Sequence, residues 1–193
     1  MILKTEKNNE IDNPVTSTTI VNNTGNINTS YIMYGWLGPK ACDLKNTICL
    51  DLISIIFGDG TSSRLYQNLI EKQADPVFNL INCEHYQFKD GNNFFIQGNF
   101  KPEKQELARK LIEEELAGLL NKPITEAELQ KAKKKTKSRF AYSAETVSEI
   151  GETIGYYMTV CADLKLIEDY LIDLDSITIE DLNEAIRSYL SLD

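Results

Sequence analysis

The chain has 193 residues, with 20 Lys and Arg against 29 Asp and Glu, for a formal net charge of -9. Such an excess of acid leaves no dominant basic face for a nucleic-acid backbone, and 42% hydrophobic with 25% charged residues is the composition of a folded globular domain, not a disordered chain. The longest nearly apolar run, Leu44 to Phe57, is broken by Lys45, Asn46, Asp51 and Ser54 and falls short of the ~20 residues that span a bilayer, so neither nucleic acid nor membrane is an expected partner.

The opening MILKTEKNNE lacks the apolar stretch of a secretory signal. Cysteines at 42, 49, 83 and 161 form no C-x-x-C pair, which predicts reduced, mostly buried thiols in a cytoplasmic chain. Residues 1–14 are polar, Asn-rich and end at Pro14, the pattern of a tail or linker. One packed domain is expected over residues 15–193.

Val15 to Val21 is rich in Val, Thr and Ile and reads as a strand, followed by a turn at Asn22 to Asn26. A second strand is predicted from Thr29 to Leu37. Tyr31, Met33 and Leu37 alternate there with Ile32, Tyr34 and Trp36, so both faces are apolar and a central position is expected. Asp43 to Phe57 carries apolar residues around the whole helical wheel and predicts a fully buried helix. Gly58-Asp59-Gly60 stops it, and Ser62 or Ser63 can cap a shorter helix with Leu65, Tyr66, Leu69 and Ile70.

Val77 to Phe88 and Asn93 to Phe100 read as an antiparallel pair joined through Asp90-Gly91. Pro102 opens a helix ending near Leu120. Thr125-x-x-Glu128 and Thr146-x-x-Glu149 are capping-box patterns that start two further helices. The second of these is expected to bury Val147, Ile150, Ile154, Met158 and Cys161, with Gly151 and Gly155 admitting a close neighbour. A helix near Leu164 to Leu174 follows, then one from Thr178 with Ile177 and Leu182 at staple positions. Strands precede a run of helices, which predicts an α+β fold: a mostly antiparallel sheet with helices packed on one side.

The single histidine, His85, limits the chemistry. A catalytic zinc site usually draws two or three His ligands, which this chain cannot supply. Nucleophilic catalysis would have to run through His85, with Ser62 and Ser63 the nearest hydroxyls in a tight turn. Nothing resembles a nucleophile elbow, so a hydrogen-bonded strand histidine is the preferred meaning. Gly58-x-Gly60-x-x-Ser63 lacks the third glycine of a dinucleotide fingerprint and the Lys of a P-loop. It reads as a connection between helices, with Arg64 beside backbone N–H groups that could hold an anion. Lys131 to Arg139 holds six cations in nine residues, spread around a helix, and reads as a solvated surface.

The stretch from Ile55 to Lys72, with Gly58, Gly60, Ser62, Ser63, Arg64 and Leu65 at its centre, resembles the signature of the insulinase-like (pitrilysin, M16) zinc metallopeptidases. Trp36-Leu37-Gly38-Pro39 before it and the hairpin-then-helices order after it extend the likeness over roughly residues 15–190. The resemblance implies half of a clamshell built from paired α+β domains, with zinc held by an inverted His-x-x-Glu-His motif on a homologous N-terminal domain. It implies that this chain is the second, noncatalytic domain: no zinc or other cofactor of its own, a peptide as substrate, and as partners the N-terminal peptidase domain and possibly a second two-domain subunit. The Arg and Tyr that such second domains can contribute would fall at Ile70 and at Val77 or Phe78, so no catalytic residue is carried over. Gly58, Gly60, Ser62, Ser63 and Arg64 remain as a family-signature or substrate-binding turn, with packing their expected role. An inactive scaffold of the same fold is the alternative.

Overall fold

The computed structural model describes residues 20–23, 25 and 28–191. The expected tail and most of the strand at 15–21 lie outside them; Ile20 and Val21 are described, and are exposed and outside any strand. Strands β1 (Ser30–Leu37), β2 (Phe78–Tyr86) and β3 (Asn93–Phe100) form an antiparallel sheet in the order β1-β3-β2. The helices are α1 (Leu44–Gly58), α2 (Arg64–Tyr66, running on into a π-helical turn over Gln67–Glu71), α3 (Gln105–Asn121), α4 (Glu126–Tyr142), α5 (Val147–Tyr156, followed by a π-helical turn over Tyr157–Cys161), α6 (Lys165–Ser176) and α7 (Ile179–Tyr189). This is the α+β arrangement that the segregation of strand and helix patterns predicts.

Helix α1 sits at the centre, against β2 and helices α4, α6 and α7. Ten of its residues are buried, among them Ile48, Leu50, Leu52, Ile53 and Phe57. At about 1.5–3 kcal/mol for each large apolar side chain, this one element supplies much of the core energy. The inward face of β3, Phe94, Ile96 and Phe100, closes the core from the sheet side. Three capping boxes start α4, α5 and α7, at Thr125/Glu128, Thr146/Glu149 and Thr178/Asp181. Asp181 also pairs with Lys45 at 2.6 Å, tying α7 to α1, and the Trp36 indole N–H donates to the Ser191 carbonyl at 2.7 Å, tying the segment after α7 to β1.

Four expectations are corrected. β1 is an edge strand among the described strands, and Tyr31, Met33 and Leu37 face outward and are exposed. Apolar residues on both faces of a strand do not fix its place, because the central position goes to the strand with pairing partners on both sides, here β3. α5 buries none of its residues: Val147 is 88% exposed, and Ile150, Ile154 and Met158 are also exposed. Among the described residues nothing lies within 4 Å of where a Cβ would stand on Gly151 or Gly155, so none of them approaches closely there. The cationic stretch of α4 is not a solvated surface throughout. Lys133 is buried and its ammonium donates to the carbonyls of Asp175 (2.9 Å) and Ile177 (2.7 Å), meeting the otherwise unpaired C-terminal end of α6. Of the cysteines, Cys49 and Cys83 are buried, Cys161 is partly exposed and Cys42 is exposed.

Candidate functional site

The signature turn is an intramolecular joint. A Cβ on Gly58 would stand 2.2 Å from Cys83 Cβ and 2.3 Å from Cys83 N, so only glycine lets the end of α1 press against β2. Gly60 has φ +88°, the left-handed region that reverses the chain. Ser63 is buried and its hydroxyl donates back to the Gly60 carbonyl at 2.8 Å instead of capping α2. Ser62 is exposed. The Arg64 guanidinium makes a fork to Glu128, Nε to Oε1 at 2.7 Å and Nη2 to Oε2 at 2.8 Å, and also donates to the carbonyls of Lys122 and Pro123. Four of the five N–H groups of Arg64 are thus spent inside the domain, on Glu128 and on the segment that leads into α4.

Glu128 has a testable consequence. The Arg64 hydrogen bonds hold its carboxyl at about 2, against an ordinary 4.5, with burial opposing and the Thr125 cap assisting. Its folded value is depressed, so its contribution is complete above pH ~4.5 and is lost as pH falls toward about 2. Denaturation midpoints of the wild type should therefore fall across that window, and Glu128→Gln should be less stable at neutral pH and show a shallower acid slope. An unchanged slope in the variant would remove the pair from the stability account.

A groove of about 650 Å³ lies between β2, α1 and α4, with Asn82 to Tyr86 all on its wall. Five consecutive strand residues can line one groove only if the strand presents its edge, and β2 has no strand partner on that side among the described residues. Asp51, from the middle of α1, lies at the groove as the shared acceptor for three side chains. His85 Nδ1 lies 2.7 Å from Oδ1, Gln87 Nε2 donates at 2.9 and 3.0 Å, and the Tyr170 hydroxyl donates at 2.8 Å. Tyr156 donates to Gln87 Oε1 at 2.8 Å and extends the network to the end of α5.

The phenols and the thiol beside this network hold their protons firmly. Burial first, and the Asp51 charge next, push the Tyr170 phenol well above its ordinary range and Tyr157 up to about 12. Burial likewise raises the Cys83 thiol far above its usual value, so the sulfur on the groove wall is neither a ready nucleophile nor a ready metal ligand. His85 Nε2 is buried without a hydrogen-bond partner, and the Ser63 hydroxyl is committed to Gly60, so no Ser–His pair is formed. Among the described residues no group of three or more His, Cys, Asp or Glu is placed to hold a metal ion. The donor set therefore does not fit the zinc centre of the peptidases that the sequence resembles. Sequence reasoning missed Asp51, Gln87, Tyr156 and Tyr170; the one available signal was a lone carboxylate in the middle of an otherwise apolar helix.

The carboxylate hub of Asp51 and the signature turn packed against β2 thus belong to an α+β domain whose polar groups are largely engaged with one another. The chain belongs to the M16 peptidase inactive-domain family: residues 4–136 match the family described as Peptidase M16 inactive domain. It is 29% identical over 175 residues to the zinc protease PqqE of Helicobacter pylori, covering 89% of this chain and 38% of that protein. The solved structure of a protease from Helicobacter pylori superposes with a TM-score of 0.78 at 25% identity, over 87% of this chain and 40% of that one. The periplasmic protease PqqL of Escherichia coli shares the fold, with a TM-score of 0.71 at 18% identity over 86% of this chain and 18% of that one. The chain thus spans well under half the length of these relatives. No helix among the described residues is long and apolar enough to cross a membrane.

Proposed function

We propose that this chain, as one domain over residues 15–193, is the noncatalytic C-terminal domain of an insulinase- or pitrilysin-type M16 zinc metallopeptidase. It closes the substrate chamber against a zinc-bearing N-terminal domain and helps hold the peptide. Membership of the inactive-domain family carries this reading, and the unpaired β2 edge beside a groove supports it, since an extended peptide can add to such an edge through main-chain hydrogen bonds. The zinc, and any second two-domain subunit, belong to the assembled enzyme. The signature residues Gly58, Gly60, Ser62, Ser63 and Arg64 serve it by fixing the chamber wall, and Gly58 and Gly60 lie on the groove itself. Free buried thiols at Cys49 and Cys83 support a reducing, cytoplasmic compartment; because PqqL is periplasmic, cell fractionation is the test of that point.

Reconstitution tests the main reading. The purified chain should carry no stoichiometric zinc and cleave no fluorogenic peptide alone, while adding it to the zinc-bearing half encoded upstream should produce cleavage. Equal cleavage by the zinc-bearing half with and without this chain would overturn the chamber role. The second reading, a scaffold of the same fold in a complex without protease activity, is favoured if the upstream half lacks the inverted zinc motif.

A further inference from the structure

The groove along β2 carries more negative charge than its own cations answer. Asp59, at one end, is answered by Arg139 at 2.6 Å and Lys135 at 3.1 Å. Asp51 and Glu84 are answered by no Lys or Arg among the described residues. Asp51 is met by His85, Gln87 and Tyr170, and Glu84 only by the neutral donors of Asn82, Gln97 and Tyr86. A neighbouring cavity of about 360 Å³ continues the groove past Asp51 and adds Glu152, also without a cation partner among the described residues, beside Tyr156 and Tyr157. Uncompensated carboxylates beside aromatic rings suit a cationic side chain, which gains both charge attraction and cation–π contact. A second observation points the same way. The His85 ring lines the groove with its side chain only 1% exposed, Nδ1 taken by Asp51 and Nε2 without a partner. With Nδ1–H donated to Asp51, Nε2 is an acceptor that awaits a donor.

We infer that this groove docks an extended peptide bearing lysine or arginine, its main chain along the β2 edge and its cationic groups beside Asp51 and Glu84, with His85 Nε2 accepting a donor from the bound peptide. This inference rests on the peptide-holding role proposed above and names the class of peptide. The test uses the full 193-residue chain and two fluorescein-labelled octapeptides, one alternating valine with lysine and the other valine with glutamate. The lysine peptide should bind about tenfold or more tightly than the glutamate peptide at low salt, with the difference shrinking as salt rises. Asp51→Asn combined with Glu84→Gln should abolish most of that preference. Because His85 is the chain's one histidine, its ring nitrogens give a single pair of NMR signals, and the Nε2 signal of the wild type should move on adding the lysine peptide, a readout that needs no variant. Equal binding of the two peptides, a preference that survives the double variant, or a stationary Nε2 signal would each overturn the inference while leaving the peptide-holding role standing. Binding of neither peptide would overturn it too, and reconstitution with the zinc-bearing half would then decide the wider role separately.

Discussion

Gly58→Ala is expected to lower the stability of the domain by about 3 kcal/mol or more, at the upper end of what overpacking a rigid site costs. The added methyl would overlap both Cys83 Cβ, at 2.2 Å, and the Cys83 backbone nitrogen, at 2.3 Å. A flexible side-chain tip could swing away, but the obstacle here includes the backbone of β2, paired to β3 on its other side. Relief would require α1 to slide, and α1 is packed against four other helices as well as the sheet. Urea denaturation monitored by far-UV circular dichroism measures the effect. A loss below about 1 kcal/mol would mean that the end of α1 is not pinned to β2 and that this glycine has some other role.

Asp51→Ala is the second large effect, expected to cost about 3 kcal/mol. The substitution removes the acceptor shared by His85, Gln87 and Tyr170 and leaves donors in a largely buried setting, each unsatisfied donor costing on the order of 1–3 kcal/mol. Asp51→Asn retains the volume and one acceptor oxygen and should cost about 1 kcal/mol, and Tyr170→Phe, which removes a single donor, a similar amount. The ordering of the three variants, read from denaturation midpoints, is the informative outcome. If Asp51→Ala and Tyr170→Phe were equally mild, the carboxylate would not be a hub and β2 would not be tied to α6 through it. The same measurement guards the binding experiment, since Asp51→Asn has to remain folded for its loss of lysine preference to be interpreted.

Elements set by local pattern are the ones that the sequence predicts well. β3 has the bounds that its alternation implies, α1 is buried all round as its unbroken apolar wheel requires, and the boxes at Thr125 and Thr146 start α4 and α5. Each depends on residues a few positions apart, so periodicity and capping chemistry suffice. The errors share a different cause. The apolar stripe of α5 is as regular as that of a buried helix, yet whether such a stripe is covered depends on elements distant in sequence. Similarly, Lys133 has the composition of a surface residue, and only the C-terminal end of α6 lying beside it makes it a buried donor.

By itself the sequence determined the class of fold, the M16 resemblance, and the inability of one histidine to build a zinc centre, because all three depend on residue identity and near-neighbour spacing. Tertiary structure alone decided that Arg64 faces inward to Glu128, that β2 ends the sheet formed by the described residues, and that Asp51, His85 and Tyr170 meet at one groove although they lie up to 119 positions apart. Those contacts follow from how α1, β2 and α6 pack around a common core. Packing is a property of the whole chain's burial, which no local window of sequence contains.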